Sequence, residues 1–353
     1  MKARCLLLGL TIFFSGSMPA GAKGRLPPPP PARYHAWITY FRGPEGFKDW
    51  ERCGGGLEEV SVFALQFDER GSSVVPATPW VNEAIAHLRS SPHPPARLWL
   101  TVVNDRGEGN RSIQKDPGIV HENLETPEAR TRHIEDLLPW ARSVDGLDID
   151  YENLRGEDSE PFSLFIEELA RQLHARGKYL SVTVEPKTDL TPGSQGRAVD
   201  WQRVGAAADE VRVMAYFYHY PGGSPGPIAP LSWLSDLARF VRQEVPAEKL
   251  SLVLNVNGLD WPPSGVAREI RTPEIAALLA DPDVKRRRDS DQTPYFRYRQ
   301  DGQMHEVWYE DAASLEAKVD YLRRAGVRWI GFWQLGTGDP AFWEGLAKKP
   351  ERP

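Results

Sequence analysis

The chain has 353 residues, 41% hydrophobic and 26% charged, with twelve tryptophans and a formal net charge of −6. That hydrophobic share supports a packed core and excludes a disordered chain. The acidic balance lacks the basic face that nucleic-acid binding uses, so no nucleic-acid partner is expected.

Read from the first residue, the chain opens on a processing signal. Lys2 and Arg4 form a positive start, "CLLLGLTIFFSG" is an apolar run of about a dozen residues, and the small residues Ala20–Ala22 suit signal peptidase. Residues 1–22 are therefore expected to be a signal peptide cleaved near Ala22, with export to the periplasm or medium. The run is short of the ~20 residues a spanning helix needs. Cys5 precedes it rather than following it, so no membrane anchor is expected. Cleavage would leave Cys53 as the only cysteine, and no intrachain disulfide could form. Residues 23–33 then hold "GRLPPPPPAR", a semi-rigid Pro-rich linker.

From Tyr34 to residue 348, strand-length apolar runs alternate with helical patterns. The expected strands are 34–41, 59–67, 96–104, 144–152, 179–186, 209–219, 250–258 and 327–336. Helical segments between them include 126–144, started by Thr126, and 159–177, 231–245 and 311–326. Strands alternating with helices imply parallel βαβ units, and eight units close into a (β/α)8 TIM barrel of the α/β class. The strands read as near-continuous apolar runs, as if buried on both faces. Residues 259–310 are too long for an ordinary loop. They contain alternating residues on either side of a "DG" turn at 294–309, so a small β-hairpin-containing insertion is expected between strands seven and eight. It should help wall a cleft at the strands' C-terminal ends. The run "KRRRDSD" at 285–291 reads as solvated loop.

The fourth strand carries "DGLDIDYE", residues 145–152. Ile and Tyr favour strands, and alternate strand residues share a face, so Asp148, Asp150 and Glu152 stand in one row. At the end of a barrel strand that row reaches the face where barrel enzymes carry their chemistry. Crowded inward carboxylates cannot all ionise cheaply, so one should hold a proton near neutral pH, which suits general-acid work. A calcium loop fits poorly: counted from Asp148, its sixth position is Asn153 rather than Gly and its twelfth is Ser159 rather than Glu. The eight histidines include no H-x-x-x-H or H-E-x-x-H pair, and neither a G-x-S-x-G elbow nor a P-loop is present. No metal and no cofactor are expected.

These residues carry a resemblance. "DGLDIDYE" fits D-x-x-D-x-D-x-E, the fourth-strand signature of glycoside hydrolase family 18, the chitinase family. "VMAYFYHY" (213–220) resembles that family's sixth-strand segment and "WIGFWQLG" (329–336) its eighth. "SPGPIAPLSWL", "HEVWYED" and "FWQLGTGD" resemble the bacterial spore-cortex-lytic branch, which acts on peptidoglycan. The resemblance implies retaining hydrolysis of N-acetylglucosamine-containing polysaccharide, with the substrate's own acetamido group as nucleophile. Glu152 would then be the general acid, Asp150 would orient the acetamido group, and Asp148 would share a proton with Asp150. Tyr216 would bond the acetamido oxygen, and Trp333 would floor the subsite, with Asn104 and Trp261 as further sugar contacts. Phe217 stands where the family often has Asp, and Asn257 where relatives commonly carry an aromatic. A monomer is expected. The rival reading is a non-catalytic glycan-binding lectin on the same barrel, although such members have usually lost the acid that Glu152 supplies.

Overall fold

The computed structural model describes residues 31–108, 111–187 and 198–348; the expected signal peptide and most of the linker lie outside them. Eight parallel strands close into a barrel: β1 (Arg33–Thr39), β2 (Glu59–Phe67), β3 (Arg97–Glu108), β4 (Gly146–Asp150), β5 (Tyr179–Val184), β6 (Glu210–Met214), β7 (Leu250–Asn255) and β8 (Trp329–Trp333). β1 pairs with both β2 and β8, and every neighbour between them is parallel in turn, so no edge is left open. All eight strands overlap the runs expected from sequence. Among the described residues, no helix is long and apolar enough to cross a membrane.

Helices pack on the barrel's outer surface. The one at Ser159–His174 turns Phe162, Phe165, Ile166, Leu169 and Leu173 inward, all nearly solvent-free; burial of each such side chain contributes about 1.5–3 kcal/mol. On the facing strand, Leu147, Ile149 and Tyr151 point outward into this layer. Tyr151 stacks on Phe165 at 6.1 Å and its hydroxyl meets His133 Nε2 at 2.7 Å. Thr126 caps the helix at Pro127–Leu137 by accepting from the Ala129 N–H at 3.1 Å.

The strands are buried on both faces as expected, but their inward-facing residues are not uniformly apolar. The inward positions are largely polar, because apolar residues alternate with small or charged ones and face the helices instead. Near the N-terminal ends of the strands, Arg212 on β6 donates to Glu210 Oε2 at 2.9 and 3.0 Å and to Ser61 Oγ at 2.6 Å, and lies 3.5 Å from Glu59 Oε2. Arg97 reaches Glu59 at 3.1 Å and Glu210 at 3.4 Å, and Trp99 Nε1 donates to Glu59 at 2.9 Å. Trp99 also explains the Gly that opens β4: a Cβ on Gly146 would sit 2.4 Å from the indole.

Burial, and then the charge of Glu210, push the Glu59 carboxyl up to about 8 against the pull of Arg212 and Arg97. The folded chain therefore keeps a proton that the unfolded chain releases near the ordinary 4.5. Stability should fall as pH rises from about 4.5 to about 8, by up to ~1.4 kcal/mol per unit. Glu59→Gln should flatten that slope in denaturant titrations across this window, and an unchanged slope would contradict the shared proton.

The segment between β7 and β8 is larger than the hairpin expected. Five short antiparallel strands, at Gly258–Trp261, Arg268–Ile270, Arg287–Arg288, Pro294–Gln300 and Gln303–Tyr309, join a helix at Thr272–Leu279. The hairpin is present, and its turn residues Asp301 and Gly302 have φ of 51° and 76°, as a two-residue turn of that twist requires. In the run 285–291, Lys285, Arg286, Arg287 and Ser290 are exposed as a solvated loop would be, while two of its side chains are tied down. Arg288 binds Asp311, and Asp291 accepts from the Leu231 N–H at 2.9 Å, where a helix begins.

Candidate active site

β4 alternates as its sequence demands. Gly146, Asp148 and Asp150 face the barrel interior, and Glu152 follows at the mouth. Asp145 lies outside this row: it accepts from the Leu98 N–H and pairs with Arg89 at 2.7 Å.

Asp148 is fully buried and held from three strands. Its Oδ2 accepts from Thr101 Oγ1 at 2.9 Å and Trp37 Nε1 at 3.2 Å, its Oδ1 from Thr183 Oγ1 at 3.0 Å, and Arg212 stands 3.7 Å away. The register places Thr101 beside Asp148, so the bond follows from strand pairing. Asp150 is 4% exposed, and its Oδ1 is a buried atom without a hydrogen-bond partner. Burial raises its carboxyl well above the ordinary range; Lys115 opposes this, while Glu152, Asp148 and Asp105 add to it. Burial thus acts on Asp150 in the direction expected of a crowded inward carboxyl.

Lys115 was not foreseen from sequence. It follows the short strand Arg111–Ile113, which folds back on the end of β3, and its φ of 54° swings the side chain over the mouth. Its Nζ lies 2.6 Å from Glu152 Oε1 and 3.7 Å from Asp150 Oδ2, and its backbone N–H donates to Asp105 Oδ1 at 2.9 Å.

Tyr216 and Trp333 converge on the acids from β6 and β8. With Asp150 and Glu152 they line a cleft of about 550 Å³ that also takes in Tyr40, Phe41, Phe63, Phe217 and Tyr220. Burial first, then Glu152 and Asp150, push the Tyr216 hydroxyl well above its ordinary pKa, so it keeps its proton and can donate. Trp333 is wedged edge-on by Phe63 at 5.2 Å and Trp37 at 6.0 Å, which fixes its ring. Phe217 has a φ of 64°, rare for a bulky residue, and stands edge-on to Tyr216 at 4.9 Å. Aromatic walls around a few polar groups are what a sugar-sized ligand needs.

Three expectations need correction. Asn104 is no sugar contact: it is fully buried, its Nδ2 donates to the Glu152 carbonyl at 2.9 Å, and its Oδ1 accepts from the Glu152 N–H at 3.0 Å. It instead fixes the backbone that carries Glu152. Trp261 is 3% exposed and packs in the apolar cluster behind Tyr216 and Met214, with Nε1 donating to the Gly223 carbonyl at 3.1 Å. It does not line the cleft, and neither does any other residue of 259–310. The insertion acts one step back. Trp261 and Ala267 hold the loop bearing Phe217 and Tyr220 by its Gly223 and Pro221 carbonyls, and Glu269 pairs with Arg42 beside Phe41 at 3.5 Å. Asn257 is likewise buried.

A model of the family "Glycosyl hydrolases family 18" matches residues 121–338. The chain belongs to glycosyl hydrolase family 18. Among family 18 relatives, the cortical fragment-lytic enzyme of Bacillus subtilis (strain 168) is 28% identical over 299 residues, covering 81% of this chain and 66% of the relative. The putative sporulation-specific glycosylase YdhD of the same organism is 32% identical over 249 residues, covering 68% and 58%. The chain thus spans no more than about two thirds of these curated relatives. Among solved structures, the chitinase from Chromobacterium violaceum ATCC 12472 superposes with a TM-score of 0.80 at 26% identity, covering 91% of this chain and all of that one. The eight-stranded barrel of family 18 is therefore this chain's fold.

Proposed function

We propose that this family 18 member is an exported glycosidase that cleaves β-1,4 bonds following N-acetylglucosamine in peptidoglycan-type glycans, with retention of configuration. The observation that carries this reading is the cleft itself. A buried carboxyl with an unpartnered oxygen (Asp150), an exposed-edge carboxyl (Glu152), a phenol and an indole face one space. Peptidoglycan is favoured over chitin by the names of the spore-associated relatives, and export by the leader in residues 1–22.

The groups fit one reaction course. The sugar rests on Trp333, and its acetamido N–H meets the unpartnered Asp150 oxygen while Tyr216 donates to the acetamido carbonyl oxygen. That oxygen attacks C1 as the C1–O bond to the leaving sugar breaks; the bond's electron pair goes to the leaving oxygen, which takes its proton from Glu152. The resulting cyclic oxazolinium is stabilised by Asp150. Water then attacks C1 as the ring's C1–O bond to the acetamido oxygen breaks, its electron pair returning to that oxygen to restore the acetamide. The water gives a proton to the Glu152 carboxylate, restoring the acid. Because the nucleophile is already in the substrate, proximity supplies much of the acceleration.

The test is a matched pair of oligosaccharides, one fully N-acetylated and one carrying a free amine on the sugar to be cleaved. Product mass spectrometry should show hydrolysis of the first only. A thiazoline analogue of the oxazolinium should inhibit well below substrate concentration, since the site complements the charged ring. Equal cleavage of both oligosaccharides would overturn the proposal.

A further inference from the structure

One cation stands among the acids of the cleft. Glu152 is the proposed proton donor, and the Lys115 ammonium sits 2.6 Å from its Oε1, where the leaving oxygen would have to approach. Lys115 is also the only basic side chain among the described residues that line the cleft, whose other charged groups are Asp105, Asp150, Glu152 and Glu185. Its side chain is 22% exposed and lines the cleft that would take the sugar.

Resting on the glycosidase reading above, we propose that Lys115 selects a leaving sugar that bears a free carboxylate at O3. Glu152 protonates the oxygen at position 4 of that sugar, and position 3 is its immediate neighbour. A carboxylate on a short O3 ether, the lactyl group of N-acetylmuramic acid, therefore arrives beside the Glu152 oxygen that Lys115 now holds. The flexible four-carbon stem lets the ammonium move from one carboxylate to the other. The exchange frees the Glu152 oxygen from the ammonium, so that it can face the leaving oxygen. The substrate's own charge thus uncovers the acid. An amide-linked stem peptide occupies the lactyl carboxyl and removes that charge, so the substrate must be supplied by an amide hydrolysis that strips the peptide.

The bland alternative is a lysine that merely ties three acids together. Burial works against its charge, and Asp150, Glu152 and Asp105 outweigh burial. A tie of that kind would make turnover indifferent to the leaving sugar's charge.

The experiment compares kcat/KM of the purified chain on four oligosaccharides. In these the leaving sugar is N-acetylmuramic acid with a free lactyl carboxylate, its methyl amide, its stem-peptide conjugate, or plain N-acetylglucosamine. The free acid is expected to be favoured over the amide by roughly 10- to 100-fold, the range for one charge-assisted contact. Lys115→Met should collapse that preference towards unity, and Lys115→Arg should restore most of it. A wild-type chain that treats acid and amide alike, or prefers the peptide conjugate, overturns the proposal without any variant. A Lys115→Met chain that keeps the wild-type ratio overturns it as well. Failure to cleave any of the four would instead overturn the glycosidase reading, so the two failures are distinguishable.

Discussion

Glu152→Gln is expected to leave the barrel folded and to lower hydrolysis by about 10²–10⁴-fold, the usual cost of losing a general acid. The amide has nearly the shape of the acid but no proton to donate. Its backbone position is set independently of the side chain, because Asn104 holds both the N–H and the carbonyl of residue 152. Lys115 keeps Asp150 at 3.7 Å and its link to Asp105, so the loop that carries it has partners left. Oligosaccharide binding should survive, measurable by calorimetry on the inactive variant. Turnover near the wild-type level would end the mechanism, since it assigns the proton donation to Glu152.

Arg212→Leu is expected to cost about 3–5 kcal/mol of stability, the range for removing one partner of a buried ion pair. Arg212 is fully buried and is the cation shared by Glu210, Glu59 and Asp148 at 2.9, 3.5 and 3.7 Å. Its guanidinium also lies 5.3 Å from the Trp37 ring and 4.8 Å from the Trp99 ring. Leucine fills part of the volume and restores neither the charge nor the donors. Denaturant unfolding should show the loss as a lower midpoint with an unchanged slope. A loss below about 1 kcal/mol would mean that the interior carboxyls are held well enough by Arg97, Thr101, Thr183 and the indoles.

The eight strands and the acid row were legible because each rests on a local pattern. Period-two alternation in "GLDIDYE" determines which side chains face inward, and barrel geometry then carries Tyr216 and Trp333 to the same mouth. Asn104 and Trp261 misled for one reason: their place in sequence puts them near the strand ends, but whether a side chain faces ligand or packing depends on neighbours far away in the chain. Asn104 faces Glu152, 48 residues on, and Trp261 faces the loop at Gly223. Lys115 was invisible because it reaches the site through a left-handed backbone turn after a strand folded back on β3, and no periodicity announces that. The insertion was recognisable by length and by its "DG" turn, whereas its bracing role depends on carbonyls it meets across the fold. Arg212 could have been noticed as a cation at an inward position of β6, but its worth depends on which acids the closed ring brings opposite.

That interior column of charge has a consequence for how the chain assembles. Glu59 belongs to β2, Asp148 to β4, and Arg212 with Glu210 to β6. A half barrel of the first four strands would bury Asp148 and Glu59 with Arg97 as the one described guanidinium facing them, and the later half would bury Arg212 beside Glu210 without its Ser61 acceptor. Neither half is electrically complete until the other arrives. The ring must therefore close as one cooperative event, and fragments cut between β4 and β5 should remain unfolded separately and regain the barrel only when mixed.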